Sequence, residues 1–348
     1  MYVKNYWKGI INCMYLISSL ILNKVKIKDF EINYTRNNIF QTPEMYEVYK
    51  NTKNYEPVYL SVVDEKKNLL GSLLAVIQKE HSGLLGKLSS RAIIWGGPLV
   101  KNNDLEILDF ILSEFNKIVK RKAIYTQFRN MWEYTEEEKG IFKKNGFLFE
   151  EHLDIIHDLA LADDQFFEKM HKGRRKNVRR AIRKGLDFEE ISTLKELLES
   201  LKLIRNTYSR VKMPMPDESF FISVFNDFHD KEMVKFFGCK INGKLIGTRY
   251  VFIYNKLVYD WYAGTDDNYL DYYPNDFLPF KIMQWGRNNG YKTFQFGGAG
   301  KPNKPYGVRD YKLKSGGELV NWGRFEKINQ PVLMKVAKIG FELWKKFK

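Results

Sequence analysis

The chain has 348 residues, of which 44% are hydrophobic and 28% are charged. This length lies near the upper limit of a single hydrophobic core, so two domains are expected. The net charge of +15 predicts attraction to polyanions such as RNA, anionic lipid headgroups or diphosphates. Cys13 and Cys239 form no disulfide framework, which favours a reducing, cytoplasmic compartment. The five histidines show no metal-ligand spacing, so no metal site is expected.

An apolar stretch at 9–22 marks the N-terminal segment, which we delimit at 1–30. The stretch is too short to span a bilayer, and polar, basic residues follow it where a signal peptide would have a cleavage site. It predicts an amphipathic helix or extension that lies either on the first domain or on a membrane surface.

The first half of the chain alternates strand and helix signals. Strands are predicted at 58–63, 69–78 and 92–95, and Gly96-Gly97-Pro98 ends the third of them. Apolar spacing predicts a helix at 105–120, followed by a strand at 123–128, a helix at 136–145 and a strand at 147–157. These elements form a predicted domain at 31–160.

The middle of the chain begins with a basic helix at 172–184, within a predicted linker at 161–190. Arg175, Arg179 and Arg183 fall on one helical stripe, with Val178 and Ile182 on the inner face. Such a stripe suits phosphate-backbone contact or an anionic membrane surface. Between 194 and 228 there is room for two ordinary helices, so no long helical arm is expected.

The second half repeats the element order of the first. Strands are predicted at 234–240, 245–254 and 257–263, a helix at 275–288, and strands at 293–296 and 319–325. An Asn242-Gly243 hairpin turn joins the first two strands. Two copies of one αβ unit are the simplest account. The second copy is placed at 191–330, and a basic C-terminal helix follows at 331–348.

Several short motifs, in this order, make the chain resemble the FemABX family over roughly 38–326. Their residues are 38–44 (NIFQTPE), Trp95-Gly96-Gly97-Pro98, the basic helix, Tyr262-Ala263-Gly264, Tyr273-Pro274-Asn275, Phe296-Gly297-Gly298, and the run from Gly307 through Tyr311-Lys312 to Gly316-Gly317. The resemblance implies a mixed α/β fold of two tandem GNAT-like domains with a cleft. It also implies acyl transfer, often of an amino acid from aminoacyl-tRNA to an amine of a peptidoglycan precursor.

The donor stays open between two classes of molecule. Aminoacyl-tRNA is the first choice, and acyl-CoA, as in relatives that build surface polysaccharides, is the alternative. The usual GNAT pyrophosphate loop is not evident. Either donor is a co-substrate, and no bound cofactor is expected. A third hypothesis is a non-catalytic protein that binds RNA or a membrane on a degenerate transferase scaffold. The expected partners are tRNA, a lipid-linked or nucleotide-linked precursor, and the inner membrane face.

The resemblance assigns the catalytic role to Lys312, with Tyr311 beside it. Direct attack by an amine needs oxyanion stabilisation and positioning, and no nucleophilic side chain. Asp260 is a candidate base, and its alternation with Tyr262 predicts that both point to one face of a strand. Pairing of Asp260 with Arg249 is the alternative.

The remaining candidates are substrate-binding residues: Tyr262, Asn275, Gly297, Gly298, Tyr306, Lys87 and Arg91. The last two are candidates for contact with a diphosphate in the first domain, where Gly96 and Gly97 alternatively only form a turn. Asn275 follows Pro274 and is alternatively the N-cap of a helix.

Overall fold

The computed structural model describes residues 15–18, 36–80, 83–161 and 163–346. The chain divides into two compact units. The first comprises Met1–Glu151 and Trp322–Lys348, and the second comprises His152–Asn321. The second unit is therefore an insertion in the sequence of the first.

The first unit is one sheet with helices packed on it. Its elements are β1 (Tyr15–Ser18), α1 (Pro43–Asn51), β2 (Tyr55–Val63), β3 (Leu69–Gln78), α2 (Gly83–Leu88), β4 (Arg91–Trp95), β5 (Leu99–Val100), α3 (Leu105–Val119), β6 (Tyr125–Arg129), α4 (Glu136–Lys144), β7 (Leu148–Glu150), β15 (Arg324–Ile328) and α11 (Pro331–Lys346). The strand order is β1-β2-β3-β4-β6-β15-β7, with β5 beside β3.

The core of this unit lies between α3 and the sheet. Asp104 caps α3 with its side chain, and the helix then buries residues at the 3.6-residue spacing that the sequence shows, ending at Phe115 and Val119. These side chains join those of β2, β3 and β4 in one hydrophobic cluster. The strands are buried along most of their length, which explains their nearly continuous apolar sequences.

The second unit repeats this architecture. Its elements are β8 (Leu153–Asp158), α5 (Asp163–Lys169), α6 (Lys172–Arg183), β9 (Asp187–Glu190), α7 (Leu194–Arg210), α8 (Glu218–Phe228), β10 (Val234–Ile241), β11 (Lys244–Tyr254), β12 (Leu257–Thr265), α9 (Pro274–Asn288), β13 (Thr293–Gly298), α10 (Gly307–Leu313) and β14 (Glu318–Asn321). The strand order is β14-β8-β13-β12-β11-β10-β9.

The two sheets correspond strand by strand, which confirms the repeat read from the sequence. In each, an antiparallel meander (β2-β3-β4 or β10-β11-β12) leads into a helix and then a parallel strand, β6 or β13. Asn242 and Gly243 both have positive φ in the turn between β10 and β11, as an Asn-Gly hairpin requires. The segment 194–228 forms α7 and α8, as predicted.

The two sheets exchange strands with respect to the sequence repeat, and the local sequence patterns do not predict this. The predicted strand at 147–157 is in fact β7, in the first sheet, and β8, in the second. The predicted strand at 319–325 is likewise divided into β14 and β15. In the first sheet β15 pairs with both β6 and β7, and in the second β8 pairs with both β13 and β14. Each segment has a short break, at Glu150-Glu151-His152 and at Gly323, but a local break does not show that the chain changes sheets.

This exchange shifts the domain boundaries away from those expected. Residues predicted as a linker, 161–190, lie within the second unit, because β9 pairs with β10 and α6 packs against α9. Tyr15–Ser18 is a strand that pairs with β2, so an N-terminal helix is wrong for these four residues. The rest of that segment lies outside the described residues.

Gly264, in one of the family motifs, allows α7 to cross β12 closely. A Cβ at this position would lie 2.3 Å from the backbone nitrogen of Ile204. The motif therefore serves packing in the second unit, since only glycine permits this approach.

A buried histidine gives the second unit a predictable response to acid. His157 lies on β8 against Phe294 and Phe296, and burial, with the charges of Arg174 and Lys169, lowers its pKa to about 3. The unfolded chain binds a proton near pH 6.5, so the folded state loses stability as pH falls from there towards 3.

We expect this residue to cost about 2 kcal/mol of unfolding free energy between pH 7 and pH 5. His157→Phe should remove that part of the acid sensitivity, and urea unfolding at the two pH values measures it. An equal loss in the variant would show that other groups carry the response.

Candidate functional site

The fold opens a gap in the second sheet where two parallel strands part. Leu257 to Tyr259 of β12 pair with Thr293 to Gln295 of β13, and the register stops there. In the first unit the equivalent strands, β4 and β6, stay paired along their whole length, from Arg91 to Trp95. The ladder between parallel strands is therefore open in the second unit at a position where the first unit has a closed ladder.

Lys312 reaches into this gap from α10. Its Nζ donates to the carbonyl oxygens of Phe296, at 2.6 Å, and Gly298, at 3.0 Å, on the open edge of β13. An ammonium has three donors, so these two bonds leave one N–H to offer to a ligand. Burial lowers the pKa of Lys312, and the carboxylates of Asp260 and Asp154 oppose this shift. Lys312 lies in the short helix α10 and is half-buried.

The bend that presents these carbonyls depends on Gly297. Its φ of +70° accompanies a register shift between β13 and β8, and this conformation is open to glycine at little cost. Gly298 follows as the last residue of the strand. The two glycines that the sequence singled out therefore shape the edge of the gap.

Asp260 and Arg249 form a buried ion pair in the same sheet. Arg249 Nη1 donates to Asp260 Oδ2 at 2.6 Å, which confirms the pairing considered as the alternative. Burial raises the pKa of Asp260, against the opposing charges of Arg249 and Lys312. Its Oδ1 is buried and has no hydrogen-bond partner among the described residues.

The prediction that Asp260 and Tyr262 share a face is wrong. A bulge at Trp261 pairs Tyr262 with Tyr250 but Asp260 with Val251, so the simple alternation is lost. Tyr262 packs against Tyr208 and Phe221, which belong to α7 and α8. Its role in the structure is aromatic packing, while Asp260 faces Arg249.

Next to the gap, Tyr311 borders a groove of about 460 Å³ within the second unit. The first turns of α6 and α9 line the groove, together with residues of α10. Tyr311 donates its hydroxyl to the carbonyl of Asn275 at 2.5 Å. Helix N-termini present N–H groups and a positive potential, and the carboxylates of Asp276 and Asp310 lie in the same lining.

Arg174 holds two residues that line this groove, Tyr311 and Asp276, in place. It was not predicted from the sequence as a site residue. Its side chain is buried beneath the ring of Tyr311, with 4.3 Å from guanidinium carbon to ring centre. It donates to the Tyr311 carbonyl at 2.7 Å and lies 3.3 Å from the carboxylate of Asp276. Its Nε has no hydrogen-bond partner among the described residues. The signal was present, since Arg174, Val178 and Ala181 follow the apolar spacing of α6.

Asn275 lies inside the first turn of α9, so its prediction as the N-cap is wrong. The N-cap is Tyr273, in a left-handed conformation without a side-chain cap. The Asn275 side chain accepts a hydrogen bond from Thr265 at 2.8 Å. Tyr306 precedes α10, and its partly exposed ring lies against Gly300.

The basic stripe of α6 faces outwards as predicted. Arg179 and Arg183 are exposed and Arg175 is half-buried. The prediction that Ile182 lies on the inner face is wrong, because this residue is 50% exposed and Ala181 is buried in its place. The helix is held by its buried line, which leaves the arginine stripe available for a ligand.

In the first unit the predicted residues do not converge. Lys87 is exposed at the end of α2, and Arg91 begins β4 and pairs with Glu80. Gly96 and Gly97 follow the other end of that strand. Asn38 donates to the Gly96 carbonyl at 2.6 Å and Tyr134 to that of Gly97 at 2.9 Å. These contacts give the glycines a structural explanation as a turn.

Within the described ranges, no group of three or more His, Cys, Asp or Glu residues is placed to bind a metal. None of the helices in the described part of the chain combines the length and apolar character that crossing a bilayer requires.

Two family models match successive parts of the chain. The FemAB family model matches residues 22–162, and a model of the acetyltransferase (GNAT) domain matches residues 172–313. The first match covers most of the N-terminal part of the first unit, and the second covers most of the second unit.

Curated relatives agree with these models. Lipid II:glycine glycyltransferase of Staphylococcus epidermidis is 27% identical over 223 residues, which are 61% of this chain and 50% of the relative. The chain thus spans about half the length of that protein. UDP-N-acetylmuramoylpentapeptide-lysine N(6)-alanyltransferase of Weissella viridescens is 21% identical over 261 residues, which are 70% of this chain and 76% of the relative.

Solved structures share the fold. The crystal structure of FemX has a TM-score of 0.69 at 16% identity, covering 88% of this chain and 96% of that one. A tandem GNAT protein from the clavulanic acid pathway has a TM-score of 0.51 at 10% identity, covering 80% and 84%. Two corresponding αβ units with a parted strand pair define the tandem GNAT class of fold. Within that class, the chain is similar to the FemAB family over residues 22–162.

Proposed function

We propose that this protein transfers an aminoacyl group to an amine of a cell-wall precursor, and that the second unit carries the transfer centre. The observation that carries the proposal is the gap between β12 and β13, with Lys312 bonded to one edge of it. The relatives named above are transferases of glycine and alanine in peptidoglycan synthesis, by their names.

The chemistry follows from the donors at the gap. The acceptor amine attacks the carbonyl carbon of the aminoacyl ester, and the carbonyl oxygen becomes an oxyanion. The third N–H of Lys312 donates to this oxyanion, a contact that strengthens as its negative charge develops. Collapse of this intermediate breaks the ester C–O bond and leaves the new C–N bond as an amide. One proton of the attacking amine passes to the leaving alkoxide oxygen, which departs as a hydroxyl. Asp260 acts through its charge on Lys312 and Arg249 in this scheme.

The groove beside Tyr311 is the proposed site for the phosphate-bearing end of the donor. Two helix N-termini offer it positive potential, Arg174 holds Tyr311 in place beside it, and Tyr311 connects it with the gap. The exposed stripe of Arg175, Arg179 and Arg183 favours aminoacyl-tRNA, since an extended polyanion makes use of charges along a helix.

Acyl-CoA is the second candidate donor, because the GNAT domain model covers the unit that holds the groove. Mass spectrometry decides between the two. The protein is incubated with a lipid-linked or nucleotide-linked precursor and either charged tRNA or acyl-CoA. A mass increase of one amino acid with charged tRNA supports the proposal. Transfer only from acyl-CoA selects the second candidate, and no transfer from either leaves a binding protein.

We expect the charge reversal R175E/R179E/R183E to weaken tRNA binding by at least about tenfold at low salt and to reduce its salt dependence, because each phosphate contact releases counterions. Filter binding at several salt concentrations measures both. The control is Lys66, Lys67 and Lys101→Glu, an equal charge change on exposed residues of the first unit. Equal losses in both variants would mean that net charge alone attracts the tRNA.

A further inference from the structure

The C-terminal helix of the first unit leaves an apolar line uncovered. α11 packs against α2 on one side. On another, Val332, Val336 and Ile339 are 76%, 48% and 62% exposed. Their spacing of four and three residues places them along one stripe of the helix. Single exposed apolar residues are ordinary, but an aligned set marks a surface that binds something.

Lysines recur in the same helix at helical spacing. They occupy positions 335, 338, 345 and 346, against a single acidic residue at 342, and Lys335 is exposed. The sequence therefore sets a basic line beside the apolar stripe. This combination is typical of helices that lie in the interface of a bilayer, where the apolar stripe enters the acyl boundary and lysines meet anionic headgroups.

We propose that the α11 stripe, Val332, Val336 and Ile339, docks on an anionic lipid surface. Charge complementarity decides for this occupant: the chain carries a net charge of +15, and the helix adds lysines next to the stripe. A second copy of the chain would bring the same lysines towards each other, which costs free energy. An anionic bilayer attracts each of them.

Lipid docking by α11 extends the proposed function. It rests on that function only for the reason why the protein would bind a membrane. A lipid-linked acceptor presents its amine at the bilayer surface, so a lipid-docking helix would hold the first unit where that acceptor lies. The surface is otherwise independent of the transfer centre, because α11 belongs to the first unit and Lys312 to the second.

Co-sedimentation with vesicles tests the proposal. The full chain is mixed with vesicles of phosphatidylcholine alone or with added phosphatidylglycerol. We expect binding to the anionic vesicles, weakened by high salt, and a loss of at least about tenfold in V336E/I339E. The control V211E/M213E changes two residues of the second unit with comparable exposure, 51% and 54%, and should bind like the parent.

A second double variant, V336S/I339S, removes the apolar stripe without adding charge and should also lose vesicle binding. It keeps the test valid if V336E/I339E does not fold. Unchanged vesicle binding in the folded variants overturns the proposal. So does a dimer, seen by sedimentation, that the same changes dissociate while no vesicles bind. Transfer to a soluble, nucleotide-linked precursor should be unchanged in V336E/I339E. If the unchanged protein transfers no aminoacyl group but still binds anionic vesicles, the proposed function is refuted and the lipid-docking proposal stands.

Discussion

Lys312→Ala is expected to lower the rate of aminoacyl transfer by about 10²–10³-fold, because removing one oxyanion donor typically has this effect. Turnover with an identified donor and acceptor measures it. Lys312→Arg should restore only part of the rate. A planar guanidinium cannot place two N–H groups on the carbonyls of Phe296 and Gly298 and a third on the oxyanion as a compact ammonium does.

The same change also leaves two carbonyls of the open β13 edge without their donor, so we expect a stability loss of about 1–3 kcal/mol. Urea unfolding separates this from the catalytic effect, since a folded but slow enzyme is the expected outcome. Lys304→Ala, in the exposed loop before α10, is the matched control and should keep full turnover. Full turnover in folded Lys312→Ala would remove the lysine from the mechanism.

Arg174→Ala is expected to destabilise the second unit by about 3 kcal/mol, because it leaves the Asp276 carboxylate without its buried partner. It also removes the guanidinium from the face of Tyr311 and a hydrogen bond to the Tyr311 carbonyl. Urea unfolding measures the loss, and donor binding should weaken as the groove loses its buried charge.

Arg175→Ala is the control for the loss of stability alone, since the adjacent arginine has no buried ion pair among the described residues and its replacement should cost less than about 0.5 kcal/mol. A double-mutant cycle with Asp276→Ala isolates the pair. The combined loss should be smaller than the sum of the two single losses. Additive losses would show that Arg174 and Asp276 stabilise the unit independently.

Much of the fold was predictable because local patterns agree with it. Strand β3 has the predicted bounds, the helix α3 ends within one residue of its prediction, and the repeated element order gave two copies of one unit. The motif glycines at 297 and 298, and the lysine at 312, also come together at the parted strands. In each of these places the local sequence preference and the tertiary contacts favour the same conformation.

The predictions that were wrong or absent have other causes, one for each feature. The bulge at Trp261 shifts the side-chain alternation of β12, and a period of two cannot reveal where a strand bulges. The buried guanidinium of Arg174 lies within a run of exposed basic residues, so composition hides it. The exchange of strands between the sheets depends on pairings between residues far apart in sequence, such as Arg324 with Arg129, which no local pattern contains.

The exchange of strands determines which of the two sheets can form first as the chain leaves the ribosome. Residues 152–321 are contiguous, so every strand of their sheet is available once residue 321 has left the exit tunnel. The other sheet needs Arg324–Ile328 between β6 and β7, in its interior. Until then the nascent chain carries β6 and β7 without the strand that separates them. These unpaired edges are a place for chaperones to bind and for newly made chains to misassociate.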